Sequence, residues 1–550
     1  MKFLNRYRVV LTREQKKERK RDLLLGILSG VLLGLSYPPI PLPFLSFFAF
    51  IPLFFLLEKR ETLASLNRIT YFSLFFFNLI TLYWVGSWTK EADTFLMISG
   101  AALLFFNPFF YLVIPALYHL SKKSFGKKTA LLLFPFYWVS FEYLYSLTDL
   151  RFPWLTLGNS LPYFNTFIQI ADIAGAYGLS LIILFINIFL YLSLKDLSVT
   201  RKINNTFALM AIGIFFVVMI YGTVRVSNFP IAEKKIKIGL IQPNLNPWDK
   251  WKAGNLDDQL DQYITLSEDA VQQGAKLIIW PESAMPVYLL SGNYENQVNR
   301  IHQFVSSRDV YLMTGMPDIN FYFNDKESPA EAKQTKSGVL YTSYNSILLF
   351  SPNLLDVQKY GKIKLVPFGE HVPFVEQLPF LGDFIKWEVG ISSWNVGHDQ
   401  TVFDLKKTND KSLKAAGVIC IESIYPEFVA GFVQKGANLI VVVTNDSWYG
   451  HSSGPFQHKE ISVLRAVENR KTVVRAANGG ISCIIDPLGR TVSSTKLFTK
   501  DVLVGEASIQ EGLTIYSRYP LVIPLLSSFI SIFTILFFIY KKLSTKPKKQ

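Results

Sequence analysis

Cysteine is nearly missing from this chain: Cys420 and Cys483 are the two present in 550 residues. Two cysteines close one bridge at most, so no disulfide framework holds the fold. Histidine is also scarce, at six. Neither His451 nor His458 stands in the spacing a metal-ligand set needs, and both are read as ordinary polar residues. Acidic side chains fall short of basic ones, 42 against 56, which leaves a formal charge of +14. That excess would suit nucleic acid if it gathered on a folded surface. Instead it lies in two tails, Arg6, Arg8, Arg13, Lys16, Lys17, Arg19, Lys20 and Arg21 at one end and Lys541, Lys542, Lys546, Lys548 and Lys549 at the other. Both flank apolar runs, as the cytoplasmic ends of membrane proteins do, and nucleic-acid binding is set aside. Internal repeats and long low-complexity segments are missing as well.

Apolar residues are abundant: half the chain is hydrophobic and 15% is aromatic, which a single soluble core does not explain. Segments of near-spanning length fall at 22–36, 41–57, 69–89, 94–119, 129–147, 163–194, 206–224 and 516–540, so eight spans are expected. The first two are short and Pro-separated, and a re-entrant hairpin there would keep the same parity. A basic start before an apolar run resembles a signal peptide, but no small-residue cleavage pattern follows Leu35-Ser36-Tyr37-Pro38-Pro39, so a retained first helix is expected. Alternate loops carry Lys59, Arg60 and Arg68, then Lys122, Lys123, Lys127 and Lys128, then Lys195, Arg201 and Lys202; the intervening loops carry little beyond Lys90 and Arg151. The positive-inside rule then puts both termini in the cytoplasm and the segment between spans seven and eight on the far side, the periplasm of a bacterium. Gly26, Gly30 and Gly34 recur every four residues and predict a close helix contact. Asp172 and Glu142 fall within apolar segments, where acids are costly; head-group contacts and interhelix hydrogen bonds are both open, and Asp172 can also sit at a segment edge.

From residue 229 to 508 the texture changes to short β-branched runs alternating with amphipathic stretches, a separate α/β domain. The division is therefore a membrane domain at 1–228, a catalytic domain at 229–508, and a last span with its basic tail at 509–550. Strands are predicted at 236–242, 276–280, 310–314, 345–350, 415–420 and 438–444, and helices at 256–273, 425–435 and 456–470.

Three ionisable residues stand out, two of them, Cys420 and Glu282, where predicted strands end and the third, Lys362, in a strand-like run. Cys420 closes Val418-Ile419-Cys420 ahead of Tyr425-Pro426-Glu427, whose proline suits a first helical turn. A thiol near a positive helix end is expected to be acidified, although a buried structural cysteine has the same residue type. Glu282, in Trp280-Pro281-Glu282-Ser283, can be partly desolvated and so act as a general base, or be a solvated loop acid. Lys362, in Tyr360-Gly361-Lys362-Ile363-Lys364, is expected on a strand face shared with Lys364, either stabilising an oxyanion or solvated on a sheet edge. Cys483, in an apolar strand, reads as core.

Order and spacing combine these pieces. Glu282, Lys362 and Cys420, with Leu365-Val366-Pro367-Phe368-Gly369-Glu370 directly after the lysine, resemble the Glu-Lys-Cys triad of the nitrilase superfamily. Joined to the spans, to Thr444-Asn445-Asp446-Ser447-Trp448-Tyr449-Gly450 and to Arg475-Ala476-Ala477-Asn478-Gly479-Gly480-Ile481-Ser482, the chain resembles the apolipoprotein N-acyltransferases over nearly its whole length. The resemblance implies a multi-pass helical domain carrying a nitrilase-like α-β-β-α sandwich. It implies a monomer of the bacterial inner membrane that moves an acyl chain from a phospholipid, through a Cys420 thioester, to the N-terminal amine of a diacylated apolipoprotein, without metal or cofactor. By resemblance Glu370 and Glu422 support the site and Trp251 lies on a loop over the entrance. Ile421 stands where that family often has an aromatic, so no role is carried to it. The rival reading is a membrane-tethered amidase in which water resolves the same thioester.

Overall fold

The computed structural model describes residues 12–88, 94–197, 201–248, 256–324, 326–374, 394–407 and 410–544. Among the described residues eight helices of nine or more residues precede residue 229: α1 (Arg13–Leu35), α2 (Ile51–Lys59), α3 (Leu63–Leu82), α4 (Thr94–Phe110), α5 (Val113–Phe125), α6 (Lys127–Ser146), α7 (Ala171–Leu194) and α8 (Asn205–Asn228). Thr12 and Gln15 form a capping box at the start of α1. Among the described residues five helical stretches are long and apolar enough to cross a membrane, at Leu63–Gly86, Leu96–Phe125, Ala171–Leu194, Asn205–Asn228 and Val522–Ser544. The other three expected segments take different forms. Residues 22–36 are the apolar end of α1, whose first half is charged; 41–57 form a 3-10 turn and the short α2; 129–147 is α6, where Tyr, Trp, Ser and Glu dilute the hydrocarbon character.

The glycine series of α1 packs as its spacing predicts. A Cβ at Gly30 would lie 1.8 Å from the Ser73 carbonyl oxygen and one at Gly34 would lie 2.6 Å from Ile80 Cβ, so α1 and α3 meet backbone to backbone. Buried amides join the other helices. Asn107 Nδ2 donates to Asn78 Oδ1 (2.6 Å) and Asn107 Oδ1 accepts from Tyr145 (3.0 Å), which ties α3, α4 and α6 together. Glu142 accepts from Trp138 Nε1 (2.9 Å) and from the Leu157 amide (2.8 Å), while Asp172 accepts from Tyr221 (2.6 Å) on α8; both acids make internal hydrogen bonds.

Beyond residue 229 stand β1 (Lys235–Gln242), α9 (Leu256–Gln272), β2 (Leu277–Trp280), α10 (Glu295–Arg308), β3 (Tyr311–Tyr322), β4 (Lys333–Gln334), β5 (Leu340–Phe350) and β6 (Gln358–Gly361). There follow β7 (Val402–Lys407), β8 (Asp410–Ile419), α11 (Pro426–Gln434), β9 (Leu439–Thr444), α12 (Gly454–Asn469), β10 (Val473–Ala477), β11 (Cys483–Ile485), β12 (Thr491–Ser494), β13 (Asp501–Ser508) and α13 (Val522–Ser544). One sheet runs β13-β1-β2-β3-β5-β4 with β6 also on β5, and the other runs β12-β11-β10-β9-β8-β7.

The period-2 alternation of β2 sets the layers. Leu277 and Ile279 face the second sheet, whereas Ile278 and Trp280 pack under α9 and α10 with Tyr263 and Phe304. Gly417 on β8 lets the sheets close, since a Cβ there would lie 2.7 Å from Phe403 and 2.9 Å from Ile347 Cδ1. α11 and α12 cover the outer face of the second sheet through Val429, Phe432, Leu464 and Val467, which completes an α-β-β-α sandwich. Every predicted strand and helix of this domain forms. Sequence reading missed α10, β4, β7, β10, β12 and β13, foresaw β11 as the apolar strand around Cys483, and placed Lys362 within a strand, β6, that ends at Gly361.

Candidate active site

Glu282 follows β2 in a turn made possible by Gly315, where a Cβ would come within 2.6 Å of the Glu282 Cα. Lys362 follows β6, its amide donating to the Asn345 carbonyl (2.8 Å). Cys420 follows β8 as the first residue of a 3-10 turn that runs to Ile424, with φ +49°, an uncommon conformation for a side chain with a Cβ. The three expected catalytic residues thus converge from two sheets on one cavity, which is also lined by Trp448, Tyr449 and, from the membrane domain, Leu96.

Lys362 is 1% exposed and sits between two carboxylates, with Nζ 2.8 Å from Glu370 and 3.4 Å from Glu282 Oε1. Burial disfavours its charge, but Glu370 and Glu282 outweigh that and hold its pKa above the usual lysine range. Asn345 Nδ2 bridges the same acids, donating to Glu282 Oε1 (2.8 Å) and to Glu370 Oε1 (2.9 Å). The Asn445 amide holds Glu282 Oε2 (3.0 Å) and the Val366 amide holds Glu370 Oε2 (2.9 Å). Glu282 is thereby a fixed carboxylate beside a fixed ammonium.

Glu422 is fully buried and acts on the backbone. Its Oε1 accepts from Tyr360 (2.7 Å) and from the amides of Ile363 (2.7 Å) and Lys364 (3.1 Å), and its Oε2 accepts from the Ile419 amide (2.9 Å). One side chain therefore ties the segment after Lys362 to the residue before Cys420.

The expected acidification of the thiol is not found. Burial, reinforced by the Glu282 charge, pushes Cys420 well above the usual thiol range, and Lys362 offsets only part of this. The physical reason is that α11 begins at Pro426, beyond the 3-10 turn, so its positive end is not next to Cys420. A thiol held protonated needs a base to become a nucleophile, and Glu282 shares its cavity.

Lys364 does not share the face of Lys362: its ammonium lies over the rings of Tyr425 (5.4 Å) and Phe428 (5.8 Å). Trp251 lies outside the described residues. Nearby Trp248 packs edge-on against Trp448, centroids 4.9 Å apart. Cys483 is buried in the core as expected, and His451 packs against the Phe498 ring.

Sequence reading passed over Asn345 and gave His458 no particular work. Asn345 is a polar residue opening an otherwise apolar strand run, which was the available signal. His458 is buried, with Nε2 2.9 Å from Ser423 Oγ and 3.1 Å from the Cys420 carbonyl oxygen, and Nδ1 2.9 Å from Asp446, which also pairs with Arg475. Its neighbour Gln457 accepts from Trp154 Nε1 (2.7 Å) and Trp84 Nε1 (3.1 Å) of the membrane domain. Helix α12 thus links the nucleophile turn to the membrane helices. Glu468, at its far end, accepts from the Ala176 amide (2.8 Å), and Arg470 just beyond it donates to Asp172 (2.7 Å).

Residues 29–189 match the family model for the apolipoprotein N-acyltransferase N-terminal domain, and residues 237–512 match that for carbon-nitrogen hydrolases. The chain is 32% identical over 527 residues to an apolipoprotein N-acyltransferase of Chlorobaculum tepidum, with 94% of this chain and 96% of that one covered. It is 31% identical to one of Geobacter metallireducens, covering 91% and 92%. Among solved structures, Saccharomyces cerevisiae Nit3 of the nitrilase superfamily aligns with 53% of this chain and 96% of its own at 18% identity and a TM-score of 0.36.

Proposed function

The chain belongs to the apolipoprotein N-acyltransferase family, and from that we propose how its site transfers an acyl chain from a phospholipid to the N-terminal amine of a diacylglyceryl-cysteine apolipoprotein. The observation that carries this reading is the continuity of the likeness through both halves of the chain. It is supported by a cavity that holds Cys420 and also touches Leu96 of the membrane domain.

In the first half-reaction Glu282 accepts the Cys420 proton and the sulfur attacks the ester carbonyl. The Lys362 ammonium donates to the oxyanion. The ester C–O bond breaks, Glu282 returns the proton to the departing glycerol oxygen, and a lysophospholipid leaves. In the second, the acceptor's neutral amine attacks the thioester and Glu282 accepts a nitrogen proton. The C–S bond breaks and the thiolate is reprotonated. Both steps are acyl exchanges and call for no metal or nucleotide. Glu370 and Asn345 hold Lys362 and Glu282 in place, Glu422 holds the backbone between Lys362 and Cys420, and Trp251 belongs to the entrance.

In this reading α1, the α2 hairpin and α6 complete an eight-segment membrane domain of residues 1–228 with α13, their partners inside the bundle making up for modest hydropathy. The basic loops support a topology with both termini in the cytoplasm and residues 229–508 in the periplasm, at the outer face of the inner membrane. The enzyme works as a monomer. A hydrolytic outcome is not favoured, since the relatives matched along both halves of the chain are acyltransferases.

The test is mass spectrometry of a diacylglyceryl-cysteine peptide incubated with phospholipid and the detergent-purified protein. One added acyl chain on the peptide amine is expected, lost in Cys420→Ala and kept in Cys483→Ala. Free fatty acid with an unchanged peptide would refute transfer.

A further inference from the structure

Cys420 is the strained residue of the site. Its φ of +49° lies in the left-handed region, which a side chain with a Cβ adopts only where its neighbours hold it there. The conformation matters because backbone direction sets where the Cβ, and with it the sulfur, points. A Cys420 relaxed to negative φ would turn its thiol away from the cavity it shares with Glu282 and Lys362.

The groups that hold it are few and buried. Ser423 Oγ donates to the Cys420 carbonyl (2.8 Å), and His458 Nε2 lies 3.1 Å from the same oxygen and 2.9 Å from Ser423 Oγ. Three electronegative atoms this close need protons between them. The carbonyl can only accept and the serine proton already goes to it, so Nε2 is the nitrogen that must carry a hydrogen. On the other edge of the ring Nδ1 lies 2.9 Å from Asp446 and 3.1 Å from Arg475 Nη2, which fix the ring plane. The Trp154 ring of the membrane domain packs on the imidazole, centroids 5.4 Å apart. Seven residues along α12, on the same helix face, Arg465 donates to the Ser423 carbonyl (3.1 Å) while paired with Glu468. The nucleophile turn is thus gripped from α12 at both of its ends.

Given the Cys420 thioester proposed above, we propose that His458, together with Ser423, is a positioning residue of the reaction: its Nε2–H and the serine hydroxyl clamp the Cys420 carbonyl and keep the nucleophile in its left-handed backbone. The cavity lining includes neither His458 nor Ser423, so both act through Cys420 and touch no substrate. The clamp therefore governs the rate of acyl transfer and leaves lipid binding alone.

The test measures acyl-enzyme formation from phosphatidylglycerol by intact-protein mass spectrometry in the full chain. In His458→Asn the shorter amide still reaches Asp446 but not the Cys420 carbonyl, and kcat should fall about ten- to a hundred-fold, as for a nucleophile displaced by up to about 1 Å. His458→Gln, whose amide nitrogen reaches where Nε2 stood, should restore the rate to within about three-fold of wild type. Ser423→Ala, which removes one of the two donors, should cost about three- to ten-fold, the loss of one neutral hydrogen bond. In every variant KM for the phospholipid should stay near the wild-type value. A folded His458→Asn protein at the wild-type rate would overturn the clamp. So would equal losses in His458→Asn and His458→Gln, which would make the ring a space-filler, or a rise in KM with kcat kept. If the histidine variants do not fold, Ser423→Ala decides, and acylation there at the wild-type rate would overturn the proposal. A wild-type protein that forms no acyl-enzyme would instead sink the thioester reading, and the clamp with it.

Discussion

Replacing Asn345 by Leu tests whether the acid pair around Lys362 needs a neutral bridge. Glu282 Oε1 and Glu370 Oε1 lie 2.8 and 2.9 Å from the same Asn345 nitrogen, so they are at most 5.7 Å apart, the sum of those bonds. At an effective dielectric constant near 20, two unit charges at that distance repel by about 3 kcal/mol. Leucine keeps the volume and the backbone bond to Lys362 but removes both side-chain donors, each worth about 1.5–3 kcal/mol to a charged acceptor. Taking only about 3 kcal/mol as felt in the transition state, kcat/KM should fall about a hundred-fold. Asn345→Asp, which adds a third carboxylate, should fall further. The assay is the single-turnover rate of lysophospholipid release, with thermal unfolding followed in parallel. A folded Asn345→Leu protein within three-fold of wild type would refute the bridge, and an active Asn345→Asp protein would refute the electrostatic reasoning behind it.

Glu282→Gln should separate basicity from charge. Removing an anion that raises the Cys420 pKa lets the thiol titrate at lower pH, so iodoacetamide should alkylate it faster at a given pH; acyl-enzyme formation should nevertheless fall about 10²–10⁴-fold for want of a base. If both rates rose together, the base would lie elsewhere. Arg470→Met should lower stability by about 3 kcal/mol, read as a fall in Tm, because it strips one partner from the buried Asp172 pair between the two halves; an unchanged Tm would count against that clamp. Gly30→Leu should cost folding or expression, since its first side-chain carbon already overlaps the Ser73 carbonyl, whereas Gly213→Ala, with open space around it, should be neutral; equal behaviour of the two would contradict the α1–α3 contact.

Much of this was legible because the informative features are local. Trp-Pro-Glu and the cysteine strand mark strand ends, the β-branched runs around 236–242 and 438–444 are strands on both faces, and the glycine series declares a helix contact. What was hidden depends on distance in the chain. Asn345 matters because β5 lies beside both Glu282 and Lys362, a pairing no local pattern reveals. The thiol's environment was misjudged because the turn from Cys420 to Ile424 has no sequence signature separating it from the helix that follows. Spans 22–36, 41–57 and 129–147 were counted by length, whereas their polar residues make sense only once the neighbours that satisfy them are known. His458 looked ordinary because its partners, Ser423, Asp446 and the Cys420 carbonyl, come from other strands and turns.

Helix α12 touches the nucleophile turn through His458 and the membrane helices through Gln457, one residue apart. The soluble-looking half of this protein is therefore not a cassette. Excised at residue 229, it would keep its sheets and its three reactive groups but lose the wall against which α12 is set, leaving the buried faces of Gln457, Glu468 and Arg470 open to water. Attempts to simplify the enzyme into a water-soluble catalyst should thus fail at the cysteine's orientation before they fail at substrate delivery.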